Sequence, residues 1–289
     1  MPPRWQMRLM NWLLPRRAFR FFVRDWGPLE DLDRVADALA SMRQSARLQP
    51  AVMSAPRAKS IAVVAPHPDD ESIGGGGTLL AARDGGATID VVFLTDGDTA
   101  AAAVRRREAE AACRSLGARP AFLGFAPRAI PADGQALQNF AAAIDRASPE
   151  ALFIPFFADD HDDHRRANEL LLRAADGATL RAKPEIWAYQ VYTSMPCNVL
   201  IDIGAHAAGK GEAIRCHVSQ MAERDWVSVA LGLNAYNARF VRGGLGNGLY
   251  EGFFVLPFAD YLELLRRYFK KPVHACYRSD SYRAGADAT

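Results

Sequence analysis

Pro66-His67-Pro68-Asp69-Asp70-Glu71-Ser72-Ile73-Gly74-Gly75-Gly76-Gly77 follows directly on a short apolar run at residues 61–65. A buried strand that enters a glycine-rich turn and then a helix is the opening unit of a parallel α/β sheet. The helix is expected from about residue 77 to 84. Four glycines in this place would ordinarily suggest a phosphate cradle. Yet the spacing is not Gly-x-Gly-x-x-Gly, no Gly-Lys-Ser/Thr follows, and the acids Asp69, Asp70 and Glu71 would repel a phosphate. A cation fits the turn better.

The alternation continues outward from this unit. Strands are expected at 89–94, 121–125 and 152–156, with helices at 101–116, stopped by Gly117, and at 136–147. The fold class is therefore α/β, a Rossmann-like and mostly parallel sheet with helices on both faces, in which sites form at the carboxyl ends of strands. Further on, 186–191 and 199–203 read as strands, and 210–221 and 261–269 as helices. No internal repeat is evident. Upstream, 25–47 carries a helical pattern (Leu29, Leu32, Val35, Ala36, Leu39, Met42), and a Pro, Ala and Ser-containing link follows at 50–56. A single catalytic domain is expected over 59–289, with 1–58 as an N-terminal basic and aromatic extension.

Composition bounds the function. The chain of 289 residues is 49% hydrophobic, enough for a full core, and its net charge of +2 gives no global field that points to nucleic acid. Cys113, Cys197, Cys216 and Cys276 lie far apart with no Cys-x-x-Cys pair, which argues against a zinc ribbon, a thioredoxin-like site or a disulfide scaffold. They read as core thiols in a reducing cytoplasm. No apolar run reaches the ~18 residues of a spanning helix. Residues 1–24 are distinctive: Arg4, Arg8, Arg16, Arg17, Arg20 and Arg24 precede any acid and are interleaved with Trp5, Trp12, Phe19, Phe21 and Phe22. The apolar stretch 10–14 is too short for a signal-peptide core. Two readings of the arm stand side by side: peripheral contact with an anionic membrane surface, on its inner face, or packing against the protein body or a second subunit. The oligomeric state is not legible.

His67 and Asp70, three apart at a strand end, can converge on one cation as nitrogen and oxygen ligands of the kind that zinc and related divalent ions accept. A third ligand is available from Asp159-Asp160-His161-Asp162-Asp163-His164, just after the fourth strand, on the same sheet edge; His164 can supply it. Two histidines and a carboxylate leave coordination open for water and substrate, as hydrolytic sites need. Each residue alone also has a structural reading. Asp69, Asp70 or Ser72 could cap the first helix, and Asp162 or Asp163 the one near Arg165. The combination carries the weight, since two of only six histidines sit with four aspartates in one six-residue loop.

His67-Pro68-Asp69-Asp70-Glu71, the glycine cluster and His161-x-x-His164 resemble the PIG-L/LmbE-like family of N-acetylglucosaminyl deacetylases, zinc-dependent enzymes with a Rossmann-like fold. Thr95-Asp96-Gly97-Asp98, Arg105-Arg106-Arg107-Glu108 and the stretch from Lys210 to Gln220 follow the same pattern, so the resemblance spans about 59–260. It implies Zn2+, or another divalent transition metal, on His67, Asp70 and His164. It further implies Asp69 as general base and a protonated His161 that stabilises the oxyanion or protonates the leaving amine. Arg105, Asp96 and His217 fall at the sugar; the register among Arg105, Arg106 and Arg107 is open, and His217 and Glu251 have structural readings too. One departure is visible: the family's second motif is often His-Pro-Asp-His, whereas Asp162 replaces the proline here. An extra acid beside the metal loop would favour a cationic or polyhydroxylated substrate.

The reaction implied is hydrolysis of the N-acetyl group of an N-acetylglucosamine-type sugar or glycoconjugate, releasing acetate and a free amine. A metal-dependent amidase or esterase on another acyl substrate would share the loop chemistry. A non-catalytic sugar-nucleotide-binding module would use the glycine turn without turnover.

Overall fold

A computed structural model describes residues 49–97, 101–241 and 248–269. The arm at 1–24, the helical pattern at 25–47 and Cys276 lie outside the described residues, and with them the expected membrane or subunit contact. Among the described residues no helix is long and apolar enough to cross a membrane.

The strands are β1 (Ala51–Met53), β2 (Ser60–Ala65), β3 (Thr88–Thr95), β4 (Arg119–Phe125), β5 (Ala151–Pro155), β6 (Glu185–Tyr189), β7 (Val199–Asp202) and β8 (Tyr250–Leu256). They form one sheet in the order β1-β7-β8-β6-β5-β2-β3-β4. All pairings are parallel except those of β8, which runs antiparallel to β6 and β7. The edge strand β1 pairs with β7 and precedes Lys59, within the link expected at 50–56. The helices are α1 (Asp70–Asp84), α2 (Ala102–Leu116), α3 (Gly134–Ala147), α4 (Asp162–Asp176), α5 (Ala207–Arg215), α6 (Val218–Met221), α7 (Trp226–Asn237) and α8 (Phe258–Tyr268).

Both faces of the sheet are covered, which explains why its central strands are apolar throughout rather than alternating. Ala62, Val64, Leu152 and Ile154 face a core closed by α3, α4 and α8. Ile61, Val63, Ala65 and Phe153 face the other, closed by α1, α2, α5 and α7. The chain runs outward in one direction through β2, β3 and β4, and in the other through β5 and β6. Between β2 and β5 the winding reverses, the place where a doubly wound sheet opens a crevice at its carboxyl edge.

The first helix begins seven residues earlier than the glycine pattern predicts. The Asp69 carbonyl accepts from Ser72 N and Ile73 N, so the helix starts at Asp70 and the glycines lie within it, not in a turn. Their purpose is close approach. A Cβ at Gly74 would enter the Tyr189 ring, and one at Gly77 would stand 2.7 Å from Ile203. Glycine is a poor helix former, by about 1 kcal/mol against alanine, and here that penalty is offset by packing α1 tightly between the sheet and α5.

A buried ion pair is inserted into the same helix. Lys210 Nζ donates to the Ile73 carbonyl (2.7 Å) and to Glu251 Oε1 (2.6 Å), and Glu251 in turn accepts from Gly77 N (3.0 Å) and Thr78 N (2.7 Å). Glu251 is thus structural. The helix expected at 210–221 is broken into α5 and α6 around His217, whose ring reaches Glu71.

Gly74→Ala is expected to destabilise the fold by about 1–3 kcal/mol through overpacking, read as a lowered Tm. Gly75→Ala, whose Cβ would have its nearest neighbour at 3.5 Å, should be milder. Equal melts for the two variants would argue against the packing role of Gly74.

Candidate metal and catalytic site

Five loops meet at the carboxyl edge, after β2, β3, β4, β5 and β6. Thr95 ties the first two together, its N and Oγ1 both donating to the Pro66 carbonyl at 3.1 and 2.8 Å. Asp159 ties the last two, accepting from His161 N (3.1 Å) through one oxygen and from Tyr192 N (3.2 Å) and Thr193 N (3.3 Å) through the other.

Within this frame Asp70 Oδ2 lies 3.2 Å from His67 Nδ1 and 3.2 Å from His164 Nε2. All three residues are buried. The far nitrogen of each ring is held by a carboxylate: His67 Nε2 by Asp163 Oδ2 at 2.8 Å, and His164 Nδ1 beside Asp159 Oδ1 at 3.1 Å. Such outer carboxylates fix ring orientation and leave the near nitrogen to a metal. Asp70 Oδ1 is buried with no hydrogen-bond partner. An orphaned carboxylate oxygen beside two inward ring nitrogens suits a divalent cation.

His161 also converges, forming with His67 and His164 a group whose ligand atoms lie within 4.8 Å of one another. Its hydrogen bonding marks a different role. His161 Nδ1 accepts from Asp163 N (3.1 Å) and so caps α4, the task expected of Asp162 or Asp163. A backbone N–H can only donate, so the neutral ring carries its proton on Nε2. Burial, with the neighbouring His164 and His67, lowers its pKa below the usual histidine value. The expectation of a protonated His161 is therefore corrected: the ring is neutral at pH 7 and offers an Nε2–H.

The surrounding carboxylates bias both ligand-side rings, His67 and His164, toward their protonated forms. Burial pulls the pKa of His67 down, but hydrogen bonds to Asp163 and Asp70 outweigh it and raise the value to about 9. For His164 burial is likewise outweighed, by Asp70 and Asp159, and the value rises to about 10. Asp70 is held well below the carboxylate range, the His164 and His67 rings overcoming its burial.

Asp69 is set apart. It occupies the N-cap position of α1 with φ 127°, a strained conformation outside glycine, yet its side chain makes no capping bond. Its N–H donates instead to Glu71 Oε2 (3.0 Å). Burial and the adjacent Asp70 charge push its carboxyl up to about 7. Arg105 stands over it, donating to the Pro68 carbonyl (2.5 Å) and approaching Asp69 Oδ2 at 3.3 Å. Gly97, at φ 80°, clears the way, since a Cβ there would collide with the Arg105 side chain. A cleft of about 430 Å³ opens onto this group, walled by His67, Asp69, Arg105, His161, Tyr192 and Gln220, with Gly97, Pro127 and Arg128 at its side. That is the size of a small-molecule site.

Residues 62–175 match the profile of the PIG-L family, described as GlcNAc-PI de-N-acetylase. Over that segment the chain is similar to the PIG-L family. A diacetylchitobiose deacetylase of Thermococcus kodakarensis is 29% identical over 195 residues, 58% of this chain and 72% of the relative. The solved structure of N,N'-diacetylchitobiose deacetylase from Pyrococcus horikoshii superimposes with a TM-score of 0.61 at 25% identity, covering 71% of this chain and 86% of the other. A 4-carboxy-2-hydroxymuconate hydratase from Pseudomonas putida KT2440 has a TM-score of 0.59 at 24% identity, over 68% and 96%; that likeness is one of fold.

Not every residue expected at the sugar lines this cleft. Arg105 does, whereas Arg106 turns away onto the Phe122 ring at 4.3 Å. Asp96 is not in the wall; it lies 3.9 Å from Arg106. His217 is only 1% exposed, with Nε2 3.0 Å from Glu71 Oε1, behind the loop and not in the wall. Sequence reasoning missed Asp159 and Asp163 as histidine partners, and missed Tyr192, Arg128 and Gln220 in the wall. Gln220 is placed by Glu108, whose carboxylate accepts from Ser219 N (2.8 Å) and Oγ (2.6 Å) at the start of α6.

Because a cation must displace the protons of His67 and His164, its apparent affinity should climb as pH rises toward about 9. Asp163→Asn should weaken binding by roughly 10–100-fold, measured by chelator competition. A pH-independent affinity would refute the assignment of these rings as ligands.

Proposed function

We propose that the protein is a metal-dependent N-deacetylase that hydrolyses the N-acetyl group of an N-acetylglucosamine-type sugar or glycoconjugate, with His67, Asp70 and His164 as ligands for zinc or a related divalent ion. One observation carries the reading: a carboxylate that neither caps its helix nor belongs to the ligand set, Asp69, faces a cleft beside three converging imidazoles. The relatives named as diacetylchitobiose deacetylases support the substrate class. Fold alone would not decide it, since a hydratase shares the architecture.

A bound divalent ion supplies a water of lowered pKa, toward about 7, and polarises the acyl oxygen. The chain's own residues do the rest. Asp69, raised into the neutral range, accepts the proton of the attacking water as the new C–O bond forms, which suits a base matched to its working pH. Arg105 fixes the orientation of its carboxylate. The His161 Nε2–H donates to the acyl oxygen as negative charge builds there, a preorganised donor worth about 3–4 kcal/mol in comparable sites. When the C–N bond breaks, the proton held by Asp69 passes to the leaving amine, and acetate and the free amine result. His161, neutral on entry, has only its Nε2–H to offer and serves best as the oxyanion donor.

Asp69→Asn should keep its metal and lose about 10²–10⁴ in kcat, whereas Asp70→Ala should lose the metal itself. The test is metal content of the purified protein together with acetate release from an N-acetylglucosamine conjugate, with and without chelator. Unimpaired turnover in Asp69→Asn would sink the base assignment, and simple esters cleaved in preference to N-acetyl sugars would sink the substrate class.

A further inference from the structure

Arg128 sits in the loop after β4 and lines the same cleft as Asp69 and His161. Its backbone is in the left-handed region, φ 57°, which an arginine adopts only when its surroundings compel it. What compels it is Asp163: Arg128 N donates to both carboxylate oxygens, at 3.1 and 2.9 Å, and the same carboxylate holds His67 Nε2. The loop after β4 is thereby locked to the ligand shell, and the side chain of residue 128 is aimed from a fixed point. Glycine or asparagine would fill this conformation at less strain. The chain carries an arginine.

The other charges of the cleft are already answered. Arg105 faces Asp69, and His67 faces Asp70 and Asp163. Asp162, the extra acid that pointed to a cationic substrate, is bonded to Arg165. Among the described residues the Arg128 guanidinium has no hydrogen-bond or ion-pair partner, and it is exposed on the cleft side. A planar fork of donors beside the reacting centre matches a phosphate or carboxylate bidentately.

We propose that Arg128 binds an anionic substituent, a phosphoryl or carboxylate group, carried by the N-acetylated sugar, so that the preferred substrate is acidic rather than neutral. The proposal rests on the deacetylase reading for the sugar, and on the geometry of Arg128 for the charge. Asp163 then does double duty, since the carboxylate that orients a metal ligand also orients the specificity residue.

The test compares N-acetylglucosamine 1-phosphate with N-acetylglucosamine on the metal-loaded protein, by acetate release and, separately, by calorimetric binding. The phosphate ester is expected to show at least about tenfold higher kcat/KM and tighter binding, with a KM that rises with salt. Arg128→Gly should remove the strain and keep or raise Tm while abolishing the preference; Arg128→Lys should restore part of it. The ratio between the two sugars within one variant is insensitive to any loss of folded protein. Equal handling of both sugars by the parent, or a preference that survives in Arg128→Gly, overturns the proposal. Preferential binding of the phosphate ester that is lost in Arg128→Gly, with no acetate from either sugar, upholds the anion subsite and overturns the deacetylase reading instead.

Discussion

A carboxylate removed from water must be compensated by charge and hydrogen bonds or it takes up a proton. Asp70 is almost fully buried and still held in its ionised form. Compensation on that scale requires two imidazoles at contact distance, each of which needs its own carboxylate on the far side, and those carboxylates need donors in turn. Asp159 finds them in the loop after β6 and Asp163 in the loop after β4. The requirement of one buried charge thus spreads across the carboxyl edge and fixes four of its loops relative to one another.

The same constraint separates the two neighbouring aspartates. Asp70 faces the rings and is stabilised as an anion; Asp69, one residue earlier and turned by its unusual backbone angle, shares the burial without the rings and is pushed upward. Adjacent residues of identical chemistry are driven to opposite ends of the carboxylate range. Glu71 completes the division by taking the Asp69 N–H with one oxygen and His217 with the other, so that the strained peptide has a buried anchor.

How much of this was legible depended on whether the signal was local. Alternating apolar runs and Gly117 disclosed the parallel core, and the candidate ligand trio lies on two short motifs that this topology brings to one edge. The glycines misled because their spacing is the same whether they make a turn or admit an aromatic ring against a helix; only Tyr189 and Ile203, more than a hundred residues away, decide between these. Asp159 and Asp163 were visible as acids but not as partners of particular rings. The antiparallel β8 and the break at His217 came from tertiary contacts that no window of sequence contains. The protonation of His161 could be read only once its capping bond to Asp163 N was known.

Lys210 and Glu251 lie far downstream of the segment 62–175 that matches the family profile, yet they enter the hydrogen-bond ladder of α1 itself, at the Ile73 carbonyl and the Gly77 amide. The segment that resembles the family and the segment that completes the packing of α1 are consequently of different size. A fragment ending at 175 would keep every candidate metal ligand while leaving open the polar gap that the distal pair closes. In this protein the described chain beyond 175 supplies the inner course of the wall that carries the site.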